Sequence, residues 1–176
     1  MRTVSQGEMR HAGRVTDPTP LCLAYLIEPD DSGGTHVLLG RKRQGFGTGK
    51  LVGLGGHVEA GETSVQAAVR ETYEESGLTV EPGDMRSAGR VMFRFPSNPA
   101  YDMAVDIFVA TRWSGDVVAS PELDPEWHSV HGIPWVQMWD DARIWLPHVL
   151  RGERISADIT YDDAGALVAH AELRAG

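Results

Sequence analysis

Between Gly56 and Leu78 the chain reads GHVEAGETSVQAAVRETYEESGL, and no other stretch limits the available folds so strongly. Thr63-Ser64-Val65-Gln66 has the form of a capping box, with a hydroxyl at the N-cap and a Gln placed to reach back to it. Gly77 is placed to stop the helix in a left-handed turn. Between those signals Val65, Ala68, Val69 and Thr72 recur at helical spacing, which gives the helix a stripe to bury. Glu71 and Glu75 stand one turn apart on a common flank, with Glu74 beside them. Like charges at that spacing destabilise a helix by about 0.2–0.5 kcal/mol per pair. A solvated acidic face is the ordinary use of such residues. Here the cluster follows a glycine-rich turn, Gly53-Leu54-Gly55-Gly56. Hard cations such as Mg²⁺ take oxygen ligands of this kind, with waters and substrate phosphates completing the shell.

Gly56, Glu62, Arg70, Glu71, Glu74, Glu75, Gly77 and Leu78 fall in register on the Nudix box, G-x5-E-x7-R-E-U-x-E-E-x-G-U with U apolar. The chain therefore resembles a Nudix hydrolase. Thr72 is the one departure, standing where an aliphatic residue is usual; on the buried stripe, it calls for a packing adjustment. The resemblance implies that Glu71 and Glu75 are the principal Mg²⁺ ligands and that Glu74 holds a second ion or acts through water. It also implies that a backbone carbonyl of the glycine turn, assigned to Gly55, assists, and that Mn²⁺ is an admissible substitute. Arg70 is expected to point away from the metal side and to hold Glu62 or the turn. Gly56, Glu62, Arg70 and Gly77 are thus structural. The general base is one of the box glutamates or a carboxylate outside the box, with Glu122 the outside candidate.

Composition narrows the partners. A net charge of −9 argues against a general binder of polymeric nucleic acid or of anionic membranes. An acidic protein acting on a polyphosphate needs a cation between the two. The single Cys22 excludes an intrachain disulfide framework, and a buried structural thiol is its expected role. No run of ~18 apolar residues and no signal-like start appear, so the cytoplasm is the expected compartment. Oligomeric state is left open.

The remaining pattern predicts an α+β fold. Residues 1–17 are polar and aperiodic, expected as a flexible arm before a single domain over 18–176. Leu21–Ile27 reads as a buried strand, and Val37–Leu39 follows a turn as a second. Arg90–Phe95 alternates with Phe93 and Phe95 on one face, and Met103–Ala110 is expected to pair antiparallel with it. A shorter helix is predicted over Met138–Leu146, and a closing hairpin over residues 155–173 with its turn at Asp163-Ala164-Gly165. Strands interrupted by two helices imply an α/β/α sandwich around a mixed sheet, the form of the Nudix fold.

Beyond the box the chain resembles the MutT-like group that hydrolyses oxidised purine nucleoside triphosphates. The matching segments are VLLG followed by GFG-x-G, Phe93-x-Phe95, Met103 before a strand, and MWDD followed by W-x-P, over roughly residues 21–147. This resemblance assigns Trp139 to stack on the purine, with Phe93, Phe95, Phe46 and Met103 as walls. Asp140 or Asp141 would receive hydrogen bonds from the base. Separately, the basic run Arg41-Lys42-Arg43 before the glycine-rich loop makes Lys42 a candidate contact for phosphate or base, the alternative being a solvated charge. Relatives carry Trp-Asn where this chain has Leu51 and Val52, and a Lys where it has His57. The expected function is Mg²⁺-dependent cleavage of a (deoxy)nucleoside triphosphate, with 8-oxo-dGTP a candidate, to monophosphate and pyrophosphate. The alternatives are another nucleoside diphosphate derivative as substrate (ADP-ribose or a nucleotide sugar), or a Nudix module that binds nucleotide without cleaving it.

Overall fold

The computed structural model describes residues 17–31 and 33–176; the expected arm lies outside them apart from Asp17. In chain order the elements are β1 (Thr19–Pro29), β2 (Thr35–Lys42), β3 (Leu51–Val52), α1 (Ser64–Ser76), β4 (Arg86–Arg94) and β5 (Met103–Ala110). They continue with β6 (Leu123–Ser129), α2 (Ala142–Leu150), β7 (Ile155–Tyr161) and β8 (Val168–Ala175). The strands run β3-β2-β1-β5-β4-β7-β8, with β6 on the other edge of β2. Pairing is mixed: β1 with β5 and β4 with β7 are parallel, and the remaining ladders are antiparallel. This is the expected α+β sandwich. Among the described residues no helix is long and apolar enough to cross a membrane.

β1 divides two cores. Alternate side chains of a strand point to opposite faces, so Cys22, Ala24 and Leu26 pack under α1 against Ala67, Ala68, Leu54 and Phe108. Tyr25, with the partly buried Leu21, Leu23 and Ile27, faces the core shared with Trp145, Leu146 and Val149 of α2. The glycine turn is stitched to the same strand. Cys22 N–H donates to the Gly56 carbonyl at 2.9 Å, and Ala24 and Leu54 exchange hydrogen bonds at 2.6 and 3.0 Å.

The predicted box helix forms as read. Gln66 N–H donates to Thr63 Oγ1 at 3.3 Å, Thr63 N–H donates to Gln66 Oε1 at 2.8 Å, and Gly77 adopts φ 74° at the C-cap. Its buried stripe is Ala67, Ala68, Thr72, Glu75 and Ser76, while Val65 and Val69 are only half-buried. Thr72 fits where an aliphatic residue is usual because its hydroxyl donates back to the Ala68 carbonyl at 2.7 Å. Ser76 does the same to Thr72 at 2.6 Å, so neither buried hydroxyl lacks an acceptor.

Two expectations shift. Residues 123–129 form β6, a strand the alternation rule does not reveal because Asp124, Pro125, Glu126 and His128 interrupt it. Pro125 is tolerated because β6 is an edge strand paired only with β2. Glu122 accordingly sits directly ahead of this strand, well before the second helix. α2 begins at Ala142, four residues later than predicted, after a 3₁₀ turn at Trp135–Gln137.

Candidate active site

A cavity of about 380 Å³ opens mainly into the core shared with α2, lined from β1, β3, the glycine turn, α1, β4, β5, α2 and β7. One end is acidic. Glu71, Glu75 and Glu122 line it with Lys42, Gly55, Gly56 and His57. Glycines are required in the turn by close approach: a Cβ on Gly55 would lie 2.1 Å from the Cys22 carbonyl oxygen, and one on Gly56 would lie 2.6 Å from Glu71 Oε1. Glu75 is 8% exposed. Its Oε2 accepts from Gly55 N–H at 2.7 Å. Burial pushes its carboxyl up to about 8; the Gly55 N–H and Lys42 oppose this, and Glu71 and Glu122 add to it. Cys22, fully buried beneath the turn, has its thiol pushed up to about 11 by burial, as befits a structural residue.

Arg70 holds this end together. It grips Glu62 through two nitrogens at 3.0 and 2.9 Å and reaches the His57 carbonyl at 3.1 Å, as expected of a residue that holds Glu62 and the turn. Contrary to the expectation that it points away from the metal side, its third nitrogen donates to Glu71 at 2.8 Å and Glu74 at 3.1 Å. Arg70 thereby offsets part of the repulsion among the clustered carboxylates. Glu74 is half exposed and lies outside the cavity lining.

The opposite end is aromatic. Phe93, Phe95, Met103, Met138, Trp139 and Phe46 line it. Phe46, on the glycine-rich loop, stacks on Trp139 at 4.9 Å between ring centroids and 21° between planes. Lys50 Nζ lies 5.3 Å from the centre of the same indole and donates to the Met138 carbonyl at 3.1 Å. Leu51 and Val52 stand in the cavity wall.

The two aspartates part company. Asp140 accepts from Val168 N–H at 2.9 Å and pairs with Arg143 at 2.6 Å, and it does not line the cavity. Its expected base contact is therefore withdrawn: Asp140 ties α2 to β8. Asp141 does line the cavity, 4% exposed. Its Oδ2 accepts from Trp145 Nε1 at 2.7 Å and its Oδ1 from the Tyr161 hydroxyl. Burial raises the Asp141 carboxyl above its ordinary range, with those two hydrogen bonds pulling the other way. Trp145, Tyr161 and Tyr25 are cavity residues that the sequence reading missed. The available signal was Tyr161 itself, a polar head ending the inward-facing series Ile155, Ala157, Ile159.

Among the described residues no three His, Cys, Asp or Glu side chains already form a ready-made metal cage. The donor chemistry still fits a hard divalent cation: two acidic side chains beside a glycine turn, one of them buried with no cationic partner, and open space for water and phosphate.

A NUDIX domain matches residues 22–149, and the chain belongs to the Nudix family. That family generally uses divalent metals. Among curated proteins the chain is 38% identical over 150 residues to an oxidized purine nucleoside triphosphate hydrolase of Danio rerio, covering 85% of this chain and 91% of that one. The protein of the same name from Mus musculus is 35% identical over 148 residues, covering 84% and 90%. The crystal structure of a mutator MutT protein from Bacillus halodurans shares the fold, with a TM-score of 0.74 at 24% identity over 88% of this chain and 97% of that one.

Proposed function

We propose that this chain hydrolyses nucleoside triphosphates carrying an oxidised purine, such as 8-oxo-dGTP, to the monophosphate and pyrophosphate, with Mg²⁺ as cofactor and Mn²⁺ as a substitute. The observation that carries this is one continuous cavity with acidic residues at one end and an aromatic slot at the other. The likeness to the fish and mouse enzymes supports the choice of base.

Trp139 presents its face to the purine, backed by Phe46, and Phe93, Phe95 and Met103 exclude water around it. Stacking at that end lays the triphosphate along the cavity toward Glu71 and Glu75. These two carboxylates and the Gly55 carbonyl would hold the cation, with Glu74 a further ligand or acting through water. When bound, the cation neutralises phosphate oxygens and acidifies a water. Lys42 at the same end offers a charge to the phosphates. Glu122 lines the same end, close enough to act on Glu75, and takes the proton of the attacking water as the water O–P bond forms and the bridging P–O bond between monophosphate and pyrophosphate breaks.

A panel of dGTP, 8-oxo-dGTP, ATP, ADP-ribose and a nucleotide sugar, assayed for pyrophosphate or phosphate-ester release, tests the reading. Faster turnover of 8-oxo-dGTP than of dGTP is expected. Equal rates on the two would remove the preference for an oxidised base while leaving the hydrolase. Fastest turnover of ADP-ribose would move the substrate class.

A further inference from the structure

The aromatic end of the cavity has no side-chain amide in its lining, where Leu51 and Val52 stand in the wall. The polar groups left there are the Asp141 carboxylate, the Tyr161 hydroxyl, the Trp145 indole N–H and the Tyr25 hydroxyl, which is engaged with the Gly53 backbone. Two of them meet on the third: Trp145 Nε1 donates to Asp141 Oδ2 at 2.7 Å, and the Tyr161 hydroxyl donates to Oδ1. The Tyr161 ring is itself held, stacked on Phe95 at 4.9 Å and 9°.

An indole N–H can only donate, so Oδ2 can only accept. Tyr161 is buried beside a carboxylate, and both circumstances push its hydroxyl up, so it keeps a proton to give. Two donors on one carboxyl favour its ionised form against the burial that opposes it, and an ionised Asp141 can only accept at its remaining lone pairs. A purine edge bearing N1–H and an exocyclic amine at C2 satisfies them. An edge with an unprotonated N1 sets acceptor against acceptor, and a site built to receive N–H groups rejects a base lacking them.

We propose that Tyr161 is a positioning residue for base recognition: its hydroxyl, together with the Trp145 indole, fixes Asp141 as a hydrogen-bond acceptor and selects purines of the guanine type over the adenine type. The proposal rests on the nucleoside triphosphatase reading and deepens it. Without the phenolic proton, Asp141 retains one donor and its ionised form loses that support, and a protonated carboxyl would present a donor to the base. The titratable groups facing it are Tyr161 of β7 and Tyr25 of β1, with Asp140 adjacent and neutralised by Arg143.

The test is kcat and KM for guanine, hypoxanthine and adenine nucleoside triphosphates with wild type, Tyr161→Phe and Asp141→Asn. Wild type is expected to favour guanine. Tyr161→Phe preserves the ring stack and is expected to shrink the guanine-over-adenine ratio by about tenfold. That shift falls on KM, with the adenine KM improving; a merely structural defect would instead worsen all three bases together. Asp141→Asn is expected to lose the ratio too, and it carries the test if Tyr161→Phe fails to fold. A ratio unchanged within about twofold in either folded variant, or a wild type that favours adenine, overturns the proposal. Failure of the triphosphatase reading looks different: wild type turns over none of the three, and the same ratio is then read from equilibrium binding.

Discussion

Each end of the cavity contains a buried carboxylate, and the two are supported in opposite ways. Glu75 has one backbone donor, Gly55 N–H, and a neighbouring Glu71 already taken by Arg70. Asp141 has a side-chain donor on each oxygen. Burial raises both carboxyls. Of the two, Glu75 is the one left short of positive charge. A buried acid with one hydrogen bond and no ion pair is costly to a fold that does nothing with it. The cation proposed for this end would supply the missing charge. Asp141, by contrast, is satisfied by the protein, and what it offers a ligand is direction.

The sharpest break between the two ends is expected from Glu75→Gln. Turnover should fall roughly 10²–10³-fold through kcat, while the metal-free protein gains thermal stability near neutral pH because Gln, unlike Glu75, needs no proton to be buried neutral. A variant that keeps full activity would remove Glu75 from the chemistry. Trp139→Ala should act the other way, on KM. Base–aromatic stacking is worth about 1–3 kcal/mol, so KM should rise roughly 5–150-fold with kcat little changed. Phe46→Ala, at the exposed outer face of the stack, should do less. Equal losses of kcat in both variants would merge the two ends into one functional unit.

The smallest effect is a pH-dependent one. Glu75 has a folded value of about 8 against an ordinary 4.5. Its contribution to stability is therefore fully present below about pH 4.5 and lost as pH rises through about 8. A cation that favours the ionised form reverses that loss. Thermal melts should show Mg²⁺ raising the melting temperature by a few degrees above pH 8 and by less near pH 5.5. A shift independent of pH would place the cation away from Glu75.

The acidic end was legible in the chain because its determinants are local. The capping box, the Glu71–Glu75 spacing, the Gly77 cap and the glycine turn occupy consecutive residues, and their geometry follows from helix periodicity. The aromatic end is assembled from β4, β5, α2 and β7, and only rings with a matching motif could be named. Asp140 and Asp141 are neighbours that one turn of backbone sends to different partners, which spacing cannot foresee. The start of α2 was misplaced for the same reason: Asp141, the natural capping side chain, makes no cap hydrogen bond and points to Trp145 and Tyr161. Tyr161 was read as one more member of an alternating strand. β6 escaped because an edge strand can carry Pro125 and three charged or titratable neighbours without leaving the sheet.

The alternation along β1 also bears on what kinds of mutation the gene can survive. Odd and even positions of that strand belong to different interiors, with Cys22 against the turn beneath Glu71 and Tyr25 against Trp145 and Gly53. A conservative substitution disturbs one side. Deleting or inserting a single codon there exchanges the two sets, sending the thiol toward the slot for the base and the phenol into the narrow space under the glycines. Length, more than identity, is what this strand has to preserve.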